Sequence, residues 1–344
     1  MLNSTNLTGS PVIRCRLEYQ TMTQADIGTL FHVSVIVSVI NSISLLLVVI
    51  TNGVIVLALW KAKMLQTPSN ILLCCLATSD LLSGLISQPL FIISHIARIC
   101  GFERVYCSTT EGFAISSAVL CIVSFLTFTA ISVDKFLALH LHLRYRQLVT
   151  NERVLTVTLL FWLVCLLEAS LTIPSKKYLV HFICLVSVLL LGVLTTMFAY
   201  QRIFHTIRKH ETRRKGELEL RHFLQHGGDH LDIKKHKRAS TTMAIASIVF
   251  LLCYLPYIGV LTANVVYIEH ITSQIDLKIA GNVSLTIILA NSIINPLLYC
   301  LGMRDVKQAV MLLFKRQTLR EHERRKQFYL SFNKFRQRRS GTEC

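Results

Sequence analysis

Charge is what this 344-residue chain has least of: 16% of its residues are Asp, Glu, Lys or Arg, against roughly a quarter in soluble domains. Seven stretches, roughly 31–59, 71–95, 112–133, 154–174, 178–201, 239–268 and 279–303, contain no Lys or Arg at all. Asp80 and Glu168 are the only acids inside them. So little charge argues against a water-soluble fold. Each stretch reaches the ~20 apolar residues that cross a bilayer core as a helix. Helix is the form that lipid imposes, because backbone N–H and C=O groups there must be satisfied within the segment. The expected fold class is therefore all-α membrane, a seven-transmembrane helix bundle.

Acids are scarce overall, 19 against 36 Lys and Arg, for a net charge of +17. A balance this basic invites a nucleic-acid reading, but the cations gather at the ends of the apolar stretches. The segments on the C-terminal side of the membrane hold 29 of the 36: 2 in 60–69, 4 in 134–153, 11 in 202–238 and 12 in 304–344. Cytoplasmic loops carry the excess of Lys and Arg. The N-terminus is thus expected outside and the C-terminus in the cytosol of a multi-pass plasma-membrane protein. Asn3 and Asn6 open two glycosylation sequons on the outer side; a third, at Asn282, falls inside the seventh span.

Other absences narrow the classes further. The first 30 residues lack the charged-then-apolar order of a signal peptide, so the first span is expected to direct insertion. The 11 cysteines show no zinc-ligand spacing. Cys74, Cys75, Cys121, Cys165, Cys184, Cys253 and Cys300 lie in spans as small apolar fillers. Cys15, Cys100 and Cys107 lie in the outer segments, where disulfides persist, and their connectivity stays open; Cys344 lies in the basic tail. No internal repeat is visible. His32, His95 and His181 are scattered near the outer edges, without the single-depth cluster that an intramembrane hydrolase wants. The expectation is that the chain is not an enzyme.

The chain divides into an outer N-terminus, 1–30; the seven-span domain, 31–303; a membrane-surface helix, 304–316; and a basic cytosolic tail, 317–344. The surface helix is read from Val306, Ala309, Val310, Leu313 and Phe314 at helical spacing, with Lys307, Lys315 and Arg316 on other faces. The loop 202–238, basic and broken at Gly227-Gly228, is expected to be a mobile cytosolic loop extended from the helical ends of the fifth and sixth spans. The connection after the fourth span is very short, Ser175 to Lys177. In the tail, basic and aromatic residues mix over 327–335, a pattern that suits anionic membrane lipids; no nucleic-acid partner is expected.

A carboxylate at mid-span is expensive, so Asp80 is a functional candidate by default. Polar side chains at similar depth, Asn52, Ser124, Asn291, Ser292 and Asn295, are its candidate partners; Asn291 and Asn295 share one helical face. An all-oxygen cage with one carboxylate suits a small hard cation, and sodium is the abundant one outside cells. The alternative is a hydrated network around a protonated Asp80. No other cofactor is implied. Pro256 and Pro296 each free a carbonyl one turn earlier, Leu252 and Ser292, and so kink the sixth and seventh spans beside this core.

These residues resemble the rhodopsin-like (class A) G-protein-coupled receptors over about residues 31–316. Thr51-Asn52-Gly53 resembles the first-helix Gly-Asn motif. Leu76-Ala77-Thr78-Ser79-Asp80 matches that of the second helix, and Trp162 stands at the tryptophan of the fourth. Asp134-Lys135-Phe136 looks like a variant of Asp-Arg-Tyr. Cys253-Tyr254-Leu255-Pro256, preceded by Phe250, resembles Cys-Trp-x-Pro. Tyr200 fits the fifth-helix tyrosine, and Asn295-Pro296-Leu297-Leu298-Tyr299 matches Asn-Pro-x-x-Tyr in full.

The resemblance implies a mechanism. Asp80, Ser124, Asn291, Ser292 and Asn295 would hold sodium. Tyr254 would sense an extracellular ligand and relay it past Phe250, swinging the inner end of the sixth helix outward. Tyr200 and Tyr299 would then close over Lys135, and a heterotrimeric G protein would enter the cleft, with Leu143 filling a pocket on it. Candidate ligand contacts are Glu111, Ser117, Cys121, Glu168, His181, Tyr254, Tyr257 and Leu285. Glu168 is either a cation anchor or a protonated group bonded between helices, and His181 is either a contact or an interfacial residue.

Departures from the family pattern carry information too. Lys135 replaces an arginine whose planar fork it cannot reproduce, and the sixth helix begins with Lys234-Lys235-His236 instead of an acid. No ionic clasp from that helix to Lys135 is expected, which implies basal activity unless the Asp134–Lys135 pair alone suffices. The usual third-helix cysteine position is Thr110 and the second outer loop has no cysteine, so a bridge would be rewired, Cys15 pairing with Cys100 or Cys107. The short loop, rewired bridge and missing fifth-helix proline (Gly192 lies near its place) resemble the melanocortin branch, without its acidic cluster; an adenosine-type asparagine is replaced by Leu261. Ser117 stands where aminergic receptors carry aspartate, and Leu289 where opsins carry lysine, which disfavours a monoamine and retinal. The rival reading is a seven-span transporter or proton-translocating protein that uses Asp80 and Glu168.

Overall fold

The computed structural model describes residues 24–62, 67–141, 144–172, 178–220, 229–266 and 274–315. Among them seven helices are long and apolar enough to cross a membrane, and no strand is present. They are the first (Gln24–Lys61), the second (Pro68–Leu82, continued by Gln88–Ile99), the third (Glu103–Leu141), the fourth (Asn151–Thr172), the fifth (Tyr178–Leu220), the sixth (Asp229–Val266) and the seventh (Gln274–Gly302). Their apolar residues point both ways. Leu76, Val123, Ile131 and Leu289 are buried, whereas Leu159, Leu163, Leu191 and Ile248 stay exposed. A helix apolar on all sides belongs in lipid, with its outer face solvated by acyl chains. The end carrying Asp134 and Lys135, expected in the cytosol, is here called the inner end.

The third helix is the axis. It packs against the second, fourth and fifth helices, while the seventh packs on the first and the sixth. A core at the inner end gathers Leu73, Leu76, Phe128, Ile131, Tyr200 and Tyr299; a second, nearer the outer end, gathers Val123, Phe125, Phe250, Tyr254 and Ile288.

Several boundaries depart from the sequence reading. The third helix begins at Glu103 and runs to Leu141, past both ends of the apolar stretch, because its polar ends leave the hydrocarbon while keeping helical bonds. The helical extensions expected from the fifth and sixth spans into 202–238 are present and long: the fifth helix continues to Leu220 and the sixth begins at Asp229. The second helix carries an unforeseen π-turn at Ser83–Ser87, where Gln88 N–H reaches back to the Ser83 carbonyl. Pro89 follows immediately and has no N–H to offer the regular ladder. Helix 304–315 is present, but its apolar face rests partly on protein: Ala309 and Leu313 pack against Ala58 of the first helix, and Met311, Leu312 and Phe314 stay exposed.

Candidate functional site

Asp80 lies at mid-height in the second helix, 2% exposed. Two other helices supply donors to it. Ser124 Oγ of the third donates to Oδ1 at 2.8 Å, Ser292 Oγ of the seventh to the same oxygen at 3.1 Å, and Asn295 Nδ2 to Oδ2 at 2.8 Å. Asn291, one turn before Asn295, lines a cavity of about 10 Å³ shared with Asp80, Ser83, Ser124 and Ser292. That is room for about one water-sized particle. The donors around it are oxygen-rich and include one carboxylate, so the set fits a small hard cation.

Asn52 joins this network through the backbone. Its Nδ2 donates to the Ser292 carbonyl at 3.1 Å and to Val48 O at 3.0 Å. Pro296 has no N–H for the Ser292 carbonyl four residues earlier. The first helix therefore satisfies the acceptor that the proline of the seventh leaves open, and Ser292 spends its hydroxyl on Asp80. A break in one ladder, a side-chain amide and a buried acid thus tie four helices together.

An aromatic stack closes the cavity. Tyr254 and Phe250 line it; their rings stack at 4.2 Å, and Phe250 continues onto Phe125 at 5.1 Å and Phe128 at 6.2 Å. Phe125 fits because the facing fifth-helix residue is Gly192: a Cβ there would overlap the Phe125 ring and stand 3.1 Å from Thr129 Oγ1. The missing fifth-helix proline is thus replaced by a glycine that admits a third-helix ring.

At the inner end the structure supplies partners that sequence reasoning missed. Lys135 Nζ lies 3.5 Å from Asp134 Oδ2 and donates to Ser69 Oγ at 2.9 Å. Ser69, near the start of the second helix, in turn donates to Asp134, and Tyr145 Oη donates to the other carboxylate oxygen at 2.6 Å. Burial, and then the adjoining Asp134 carboxylate, hold the Tyr145 phenol above its ordinary 10.0. Tyr145 sits on a one-turn helix, Tyr145–Leu148, between the third and fourth spans. Tyr200 Oη meets Ser132 Oγ at 3.1 Å, one turn short of Lys135, and Tyr299 Oη is buried without a hydrogen-bond partner among the described residues. Phe136 stacks on His140 and meets Phe198 edge-on.

The ligand candidates do not all come together. Cys121, Tyr254 and Tyr257 share one core with Leu261, whereas Leu285 packs with Phe113 and Phe91 in another. Ser117 Oγ is turned onto the Ala114 carbonyl of its own helix. Glu111 and Glu168 are partly buried, Glu168 beside Cys165. Cys107 is disulfide-bonded and Cys100 is a free, exposed thiol, which removes Cys100 from the bridge. The expected roles of Asn3, Asn6, Cys15 and Leu143, and the side chain of His181, lie outside the described residues.

The model of the family described as 7 transmembrane receptor (rhodopsin family) matches residues 51–173 and 164–299. The histamine H2 receptor of Cavia porcellus is 27% identical over 303 residues, covering 81% of this chain and 79% of that receptor. The histamine H2 receptor of Canis lupus familiaris is 27% identical over 302 residues, with the same coverage. Seven spans, the motifs in their order and the family match lead to one conclusion: this chain belongs to the rhodopsin family of seven-transmembrane receptors.

Proposed function

We propose that the protein is a plasma-membrane receptor, not an enzyme, that answers an extracellular small molecule by activating a heterotrimeric G protein. The observation that carries this reading is the Asp80 network. A buried carboxylate whose partners sit on the third and seventh helices, beneath a Tyr254–Phe250 stack on the proline-kinked sixth, is a joint whose packing has two discrete solutions. Ligand on the outer side and G protein on the inner side each bias one of them. The sixth helix swings outward as the stack shifts, and Tyr200 leaves Ser132 to close over Lys135 with Tyr299.

Asp80, Ser124, Asn291, Ser292 and Asn295 would hold a sodium ion, whose charge offsets the buried carboxylate and favours the resting arrangement. The names of the relatives make them histamine receptors. For this chain an amine would have to pair with Glu111 or Glu168, since Ser117 occupies the aminergic aspartate position; we propose a ligand other than a monoamine. Orientation follows the Lys and Arg distribution, with the N-terminus outside.

Nucleotide exchange on purified G protein, with the chain in vesicles, tests this. Basal exchange above that of empty vesicles is expected, lowered by sodium, and Asp80→Asn should abolish the sodium effect. No exchange with any G protein, accompanied by solute or proton flux through the vesicles, would favour the transporter reading instead.

A further inference from the structure

A cavity of about 420 Å³ lies between the fifth and sixth helices, toward the inner end, walled by Phe125, Phe128, Tyr200, Phe204, Ser247 and Phe250. It falls within the membrane-crossing parts of both helices. Its rim includes Met197 and Ile248, which are 53% and 58% exposed, so its mouth faces hydrocarbon. Small residues on the two facing helices, Val193 and Thr196 on one and Ala244 on the other, leave the gap. The Phe125–Phe250 stack bounds it toward the outer end.

Three features define the guest. Access through lipid excludes an ion, because stripping its water costs far more than these walls return. The volume falls in the range of roughly 300–1,000 Å³ typical of small-molecule sites. Four phenyl rings in the wall favour a guest that bears rings, through offset and edge contacts, and the surface lining the cavity is almost wholly apolar. The geometry points to a second, lipid-facing ligand site that takes an uncharged, ring-bearing molecule dissolved in the bilayer and holds the sixth helix where it now stands. Two of its walls belong to the fifth and sixth helices, so a guest that fits this spacing binds this arrangement better than a swung-out one and shifts the population toward it. The regulatory half of the inference rests on the receptor reading; the binding half does not.

The test uses the full chain in phosphatidylcholine nanodiscs, irradiated with 3-trifluoromethyl-3-phenyldiazirine and mapped by peptide mass spectrometry. Adducts at Met197, Phe204 and Leu251 should exceed those at Leu159 and Leu163, which are more exposed on the fourth helix, by roughly tenfold. Val193→Phe and Ala244→Phe fill the cavity from opposite walls, so one answers if the other fails to fold; each folded variant should lose that excess. Even labelling over all lipid-facing residues, or an excess that survives both variants, overturns the site. A phosphatidylcholine with a diazirine at its acyl terminus that labels the same residues equally well overturns the ring-bearing class in favour of a lipid chain. In a second arm, saturating the nanodiscs with trifluoromethylbenzene should lower basal nucleotide exchange about threefold. Unchanged or raised exchange with labelling intact overturns the regulatory half. Exchange absent from the start counts against the receptor reading and takes the regulatory half with it, while labelling still decides the site.

Discussion

Asn52 shows how one side chain can answer a fault in another helix's backbone. Its amide covers the Ser292 carbonyl that Pro296 leaves open, so Asn52→Ala strands a buried acceptor. The expected cost is about 1–3 kcal/mol, read as a lower thermal midpoint in detergent; an unchanged midpoint would mean that water covers the carbonyl equally well. Tyr145 is the corresponding residue at the inner end. Its phenol holds Asp134, which in turn holds Lys135 through an ion pair and through Ser69. Tyr145→Phe should therefore raise basal nucleotide exchange, whereas Tyr145→Leu in a Ser69→Ala background should add little more. The phenol is held above 10.0, so the protonated donor is favoured in the fold and present below about pH 10, failing only in stronger alkali. Basal exchange should accordingly show no Tyr145-dependent step between pH 6 and 9, a point checked by comparing the wild-type and Tyr145→Phe profiles. The Asp80 partners were legible in the sequence because a polar residue in an apolar span is conspicuous. Ser69 and Tyr145 were not, because hydroxyls are ordinary in segments that meet water and only the fold brings these two to Asp134.

Between elements, glycine decides how close helices come. Gly302 ends the seventh helix against Thr242 of the sixth: a Cβ on Gly302 would lie 2.7–2.8 Å from three side-chain atoms of Thr242. Gly302→Ala must push the inner end of the sixth helix away, the direction that the proposed activation takes, and should raise basal exchange severalfold while expression is retained. Gly192→Ala acts at the other contact of this kind. It drives Phe125 off Phe250, and overpacking of this sort costs about 1–3 kcal/mol, so a lowered thermal midpoint is expected. The positions of the spans could be read from hydropathy alone, since lipid leaves a helix no alternative. The π-turn could not, although Gly84 and Pro89 around it are its signal: Gly84 lies against Val48 and Val49 of the first helix. The cavity between the fifth and sixth helices was equally invisible, because phenylalanines in an apolar span read the same whether they fill a core or line a gap.

For the molecule as a whole, the Lys and Arg distribution sets the expected sidedness, on which the proposed direction of the signal depends. Tags at the two termini of intact cells should report it: antibody should reach an N-terminal tag without permeabilisation and a C-terminal tag only after it, and the opposite pattern would invert every functional assignment made above. The central claim is that the arrangement described is one of two, exchanged by movement of the sixth helix. Spin labels on cysteines placed at Thr241 and Arg153, in a chain whose Cys100 and Cys344 are replaced by Ser, measure it directly. On adding nucleotide-free G protein the distance between them should widen by about 5 Å or more; a single distance, unaltered by a G protein that demonstrably binds, would contradict the account.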